Sequence, residues 1–114
     1  MNAKKIQRIL RKFAKDREWD KFHSLRNLSV SISIEASELL EIFQWEENSF
    51  LKKKELKKRI SEEIADILLY LLRFSDIAKL DLEKVCLEKI DINKKKYPVE
   101  LSKGNAKKYN YLKK

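Results

Sequence analysis

The sequence predicts an all-α fold, a four-helix bundle followed by a C-terminal arm, and three observations carry that expectation. One Gly and one Pro in 114 residues leave almost no punctuation for hairpins. Charged residues make up 39% of the chain, and Lys, Glu, Leu and Ile dominate it, which is a helical composition. Apolar side chains recur at three- and four-residue spacing in four stretches separated by short polar breaks.

The first helix is expected over residues 3–17, with Ile6, Ile9, Leu10 and Phe13 as its apolar side. A polar-aromatic connection follows, "DREWDKFHSLRN". The second helix begins between 25 and 28 and runs to 46, with Ser24 or Asn27 as its cap, and "EENSF" breaks it. The third covers 51–78. Asp81 caps the fourth, which continues to 96 and stops before Pro98. Residues 98–114 lack a period and are expected to form an extended arm lying over a neighbour, or to be disordered. The whole chain, 1–114, is expected to be one domain.

The formal net charge is +9, which ordinarily suggests nucleic acid. Its distribution does not. Residues 1–26 carry nine bases and three acids, residues 79–114 eleven and five, and the centre, 27–78, seven and ten. An acidic middle between basic ends suits a site that holds a cation and a polyanion together, although Lys enrichment of an ordinary surface gives a similar profile. A single Cys86 excludes an internal disulfide framework and points to a reducing, cytoplasmic setting. No apolar run approaches the roughly 20 residues that span a bilayer. The opening "MNAKKIQRILRKF" lacks a signal-peptide core and is read as the first helix.

The informative anomaly lies in "SIEASELLEIFQW". With about 100° per residue, Leu28, Ile32, Leu39 and Ile42 all project within about 60° of Glu35, and Glu38 projects about 60° to the other side. Glu35 is centred in an apolar stripe. Glu63 is centred in the same way on the third helix, among Leu56, Ile60, Ile67, Tyr70 and Phe74, with Asp66 about 60° off. "EASELL" and "EEIADILL" thus repeat one pattern, acid-x-x-acid before an apolar pair.

Packing the two stripes together brings four carboxylates into a poorly solvated place. Burying one unpaired ion costs several kcal/mol, and like charges add to that. Three arrangements relieve it: pairing with Lys or Arg, a wet groove at the edge of the stripe, or a divalent metal. An oxygen-only set suits Mg²⁺ or Mn²⁺, which keep waters and commonly bridge to phosphates. Two such pairs on adjacent helices favour the metal. A di-iron centre is excluded, because it needs Glu-x-x-His pairs and the only histidine, His23, is in no such motif.

On the fourth helix Lys89 and Asn93 fall on the same side as Leu82, Val85, Cys86 and Ile90. A cation and an amide there suit a phosphate and a sugar or base edge, though a snorkelling Lys and a helix-end Asn explain them as simply. Trp19, Phe22, His23, Phe43, Trp45, Tyr70 and Tyr97 lie near the ends of the acidic helices. Phe13, Phe43 and Phe74 are expected in the core. Trp19 and Trp45, beside polar residues, are placed to stack on a base.

"EASELLEIFQW" followed by "SEEIADILLYLL" resembles the all-α nucleotide pyrophosphohydrolases, the MazG and dimeric dUTPase superfamily, whose mark is an ExxE helix followed by an ExxD helix. "REWDKFHSLRNL", "DINKKKYP" and "LSKGNAKKY" resemble its dCTP pyrophosphatase branch in particular. The resemblance implies a MazG-like bundle assembled as a dimer or a dimer of dimers, with pockets completed by a neighbouring subunit. It implies Mg²⁺ ligands at Glu35, Glu38, Glu63 and Asp66, and a base and sugar pocket at Trp19, Phe22, His23, Trp45 and Tyr70. It assigns Asn93, Lys89 and Tyr97 to sugar and phosphates. Two departures stand out: Leu10 occupies the place of a pocket histidine in close relatives, and the loop "EENSFLKKKE" is short.

The expected activity is Mg²⁺-dependent hydrolysis of dCTP, or a modified dCTP, to the monophosphate and diphosphate, in sanitation of the nucleotide pool. The cation would acidify an attacking water and basic residues would stabilise the leaving diphosphate, with one acid, Glu38 the first choice, as base. The rival from another class is a basic helical module that binds nucleic acid or protein without catalysis. In that case the inward acids are dispensable and binding falls steeply with salt.

Overall fold

The computed structural model describes residues 1–44 and 53–104. Among these, every regular element is helical: α1 (Ala3–Asp16), a short 3₁₀ turn (Asp20–Phe22), α2 (Leu25–Ile42), α3 (Lys54–Ile77), α4 (Leu82–Lys96) and a single turn, α5 (Val99–Ser102). None of these helices is long and apolar enough to cross a membrane. The chain falls into two compact units, Met1–Leu80 and the segment from Asp81 onward.

Side-chain caps start three of the helices. Asn2 accepts from the Lys5 N–H, Ser24 from Asn27, and Asp81 from Lys84, so each satisfies a donor that the first turn leaves orphaned. Of the two cap candidates for α2, Ser24 takes the role. Asn27 instead donates its amide to the Phe22 carbonyl at 3.0 Å and ties the 3₁₀ turn to the helix. The ends are also specified. α1 and α3 both finish in a Schellman turn. Glu18 (φ 54°) and Lys79 (φ 58°) adopt the left-handed conformation, and the next residues, Trp19 and Leu80, donate back to Ala14 and Ser75 at 2.9 Å.

α2 ends earlier than its apolar pattern suggests, at Ile42 rather than 46. Its last turn tightens, with Phe43 and Gln44 donating to carbonyls three residues back at 3.0 and 3.2 Å. The "EENSF" break lies outside the described residues. α4 matches its expected span, and the arm carries the α5 turn at its start.

Within the first unit, α3 is the central element and packs against both α2 and α1. Ala14, Leu28, Ile42 and Leu72 are the apolar side chains buried there. A polar staple joins α1 to α3: Gln7 Nε2 donates to Ser75 Oγ at 2.9 Å and to the Leu72 carbonyl at 3.2 Å, all buried. Gln7 and Ala14, seven residues apart, therefore define the inward side of α1. This corrects the expected stripe. Ile9 is exposed, and Phe13, expected in the core, is 42% exposed. The close approach is made by the small Ala14, and Phe13 turns to the edge, where its ring meets Trp19 edge-on at 5.6 Å.

Candidate active site

The acids on the inward faces of α2 and α3 converge. Glu35, Glu63 and Asp66 each offer a carboxylate oxygen, and the three oxygens lie within 4.8 Å of one another. Glu35 and Glu63 are half-buried and Asp66 is exposed, so the group opens on one side to solvent. One oxygen of Glu35 and one of Glu63, both Oε2, are buried with no hydrogen-bond partner. Native proteins rarely leave such atoms orphaned.

The electrostatics follow from this crowding. Burial pushes Glu35 up to about 7, helped by the neighbouring Glu38 and Glu63 carboxyls and by the charge of Asp66. Burial raises Glu63 as well, with Glu38 and Asp66 adding to it while Glu35 works the other way. Glu38, half-buried one turn after Glu35, stands outside the tight trio yet close enough to act on both buried members. Among the described residues no lysine or arginine forms an ion pair with the trio. The paired-network arrangement thus gains no support. An all-oxygen donor set with buried, unpartnered oxygens on one side and solvent on the other fits a hard divalent cation.

The acids also form part of a pocket wall. Glu35 and Asp66 line a cleft together with Leu10, Phe13, Trp19, His23, Leu69, Tyr70 and Arg73. A second hollow beside it is lined by Trp19, Phe22, His23, Asn27, Leu28, Ser31 and Tyr70. The Schellman turn of α1 delivers Trp19, the 3₁₀ turn delivers Phe22 and His23, and α3 supplies Tyr70 one turn beyond Asp66. Trp19 and His23 meet edge-on with centroids 6.4 Å apart. Arg17 lies over the Phe13 ring at 3.6 Å.

The structure thus brings Trp19, His23 and Tyr70 into one cleft with Glu35 and Asp66, and Phe22 into the hollow that shares Trp19, His23 and Tyr70 with it. Leu10 is among the lining residues. Lys89 and Asn93 are exposed on α4, and Tyr97 follows as its C-terminal cap, all in the second unit. Trp45 lies outside the described residues.

Arg73 escaped the sequence reading. It is buried, and its guanidinium donates to Asp20 Oδ1 at 2.7 Å and to His23 Nδ1 at 3.1 Å. Its position carried a signal: seven residues after Asp66, it projects about 20° from that acid on the same face of α3. Burial and the charge of Arg73 push His23 down, with Asp20 opposing them.

Comparison with known proteins fits this geometry. Residues 30–112 match the model of the MazG-like family. The chain is 38% identical over 111 residues to dCTP pyrophosphatase 1 of Bos taurus, covering 94% of this chain and 66% of that protein. It is 34% identical over 111 residues to dCTP pyrophosphatase 1 of Homo sapiens, covering 94% and 65%. The chain therefore spans just under two thirds of the length of these relatives. The crystal structure of a pyrophosphatase from Archaeoglobus fulgidus superposes with a TM-score of 0.76 at 42% identity, covering 86% of this chain and 94% of that one.

Proposed function

The chain belongs to the MazG-like family, and from that premise we propose that it is a nucleoside triphosphate pyrophosphohydrolase. Its substrate is dCTP or a modified dCTP, cleaved by water to the monophosphate and diphosphate. The observation that carries this reading is that Glu35 and Asp66 belong at once to the carboxylate trio and to the wall of the aromatic cleft. A ligand filling that cleft has a flat, apolar end and an end that needs a cation, as a nucleotide does.

Mg²⁺ bound at Glu35, Glu63 and Asp66, with Glu38 beside them, would supply positive charge for the phosphates and acidify water. The protein's own groups do the rest. Trp19 and Tyr70 offer faces for stacking and exclude water from the base. Glu38, beside the trio rather than within it, accepts the proton of a water attacking the α-phosphorus. The bond that breaks joins the α-phosphorus to the oxygen bridging to the β-phosphate, and diphosphate leaves. The resemblance assigns Lys89, Asn93 and Tyr97 to sugar and phosphates and Trp45 to the base wall, roles that Ala replacement tests through KM. Exposed Ile34, Leu40, Ile64 and Leu71 support the dimer or dimer of dimers that the resemblance implies.

The test is incubation of purified protein with each common NTP and dNTP, with and without Mg²⁺, resolving products by anion exchange. Monophosphate and diphosphate from dCTP, lost in EDTA and in Glu63→Gln, are expected. Release of inorganic phosphate instead, or activity that persists in Glu63→Gln, overturns the assignment.

A further inference from the structure

The contact between Arg73 and His23 settles a question of chemistry. A guanidinium carries only N–H donors and has no lone pair to offer. Arg73 Nε–H points at His23 Nδ1 at 3.1 Å, so Nδ1 must be the acceptor and carries no proton of its own. The ring proton is then on Nε2, the nitrogen that Arg73 leaves for a ligand.

The arrangement is held from several sides. The Arg73 side chain is only 9% exposed, and its Nη2 is clamped by Asp20 at 2.7 Å. Asp76 lies 3.8 Å from Nη1 and is itself gripped by Arg11 through two bonds of 3.0 and 2.9 Å. On the other side, the 3₁₀ turn bearing His23 is tied down by the Asn27 amide on Phe22 and by the His23 N–H on the Asp20 carbonyl. His23 lines both hollows, sharing the first with Glu35 and Asp66 and the second with Phe22 and Tyr70. A neutral imidazole free to exchange tautomers would present either a donor or an acceptor to a ligand. This one presents a donor only.

We propose that Arg73 is a positioning residue that fixes His23 as an Nε2–H donor, and that this donor selects among nucleobases. Cytosine offers an acceptor at ring N3, where uracil and thymine carry N–H. A fixed donor can donate to the first and meets the others donor to donor. A site built around one hydrogen bond rejects a base that cannot complete it far better than an apolar pocket rejects a change of shape. The selection rests on the nucleotide reading above, whereas the Arg73–His23 lock does not.

His23 is the only histidine, so long-range ¹H–¹⁵N spectra of the labelled full chain report its tautomer without assignment. At pH 8 the wild type is expected in the Nε2–H form. Arg73→Met, which removes the donor, is expected to populate both forms, and Arg73→Gln, whose amide can donate to Nδ1, to restore the first. An Nδ1–H wild type, or an Arg73→Met spectrum identical to wild type, overturns the lock. For selection, the ratio of kcat/KM for dCTP over dUTP is expected to fall about tenfold in Arg73→Met and to recover in Arg73→Gln. An unchanged ratio overturns it.

Should Arg73→Met not fold, His23→Gln serves, because an amide can turn either its oxygen or its nitrogen to the base. Its ratio is expected to fall similarly, and an unchanged ratio again overturns selection. A wild type that hydrolyses no nucleotide ends the nucleotide reading and the selection with it, and the spectra alone then decide the lock.

Discussion

Glu35 shares with Glu63 the electrostatic liability of two carboxyl groups buried beside like charges. Its ordinary value of 4.5 rises to about 7 through burial first and its acidic neighbours second. A carboxyl raised by folding is protonated in the native state over a range where the unfolded chain has already lost the proton. Its contribution to stability is fully present below about pH 4.5 and is lost as pH rises through about 7. Metal-free protein is therefore expected to melt at a lower temperature at pH 8 than at pH 5.5. Glu35→Gln, which cannot ionise, is expected to flatten that slope and melt above the wild type at pH 8; parallel slopes in the two proteins would remove Glu35 as its source. Adding Mg²⁺ is expected to raise the melting temperature of the wild type more than that of Glu35→Gln, by the linkage of binding to folding. Equal shifts in a thermal scan would sink the carboxylate trio as the cation site. These acids were legible in the sequence because a charge centred in an apolar stripe has no structural reason to be there. Arg73 was less so, because a lone base near the end of a long helix is usually solvated, and only its partners, 50 and 53 residues away, reveal its role.

The helices show a different balance between what the chain advertises and what it conceals. Ser24 and Asp81 announce the starts of α2 and α4 because a short polar side chain before an apolar period has one obvious use. The Schellman turns are hidden, since the residues at their left-handed positions are Glu18 and Lys79 rather than glycine. Relieving that strain is expected to stabilise the fold: Lys79→Gly should gain about 0.5–1 kcal/mol in chemical denaturation, with an unchanged denaturant slope. A loss of stability would show that the Lys79 side chain contributes more than its backbone costs. The first of these turns also shapes the cleft, because reversing the chain at Glu18 places Trp19 in its wall. The staple between α1 and α3 was equally silent, as Gln7 belongs to no motif. Gln7→Ala leaves Ser75 Oγ with one fewer partner and opens a void, and is expected to cost about 1–3 kcal/mol by the same measurement. A neutral result would mean that the apolar contacts alone hold α1 in place.

At the scale of the whole molecule the apolar periodicity promised more core than one copy of the chain contains. Among the described residues only Ala14, Leu28, Ile42 and Leu72 are buried apolar side chains, whereas Val30, Ile34, Leu40, Ile64 and Leu71 remain 41–71% exposed on α2 and α3. A sequence pattern reports that a face is to be covered and is silent on whether its own chain covers it. So small a core leaves little to offset the conformational entropy of ordering the chain. The exposed face is the natural place to recover the difference, by burial against a second copy, consistent with the assembly proposed above. Folding is then expected to be coupled to association. For a dimer that unfolds to free chains, each tenfold rise in protein concentration stabilises the folded state by about 1.4 kcal/mol per dimer. Urea midpoints measured over two decades of concentration should therefore climb, while sedimentation at the same concentrations gives a mass of at least two chains. Leu40→Lys, which places a charge at the most exposed of these positions, should weaken association and lower the midpoint together. A midpoint independent of concentration, with a single chain in sedimentation, would mean that these faces stay open to water and that the site is complete within one copy.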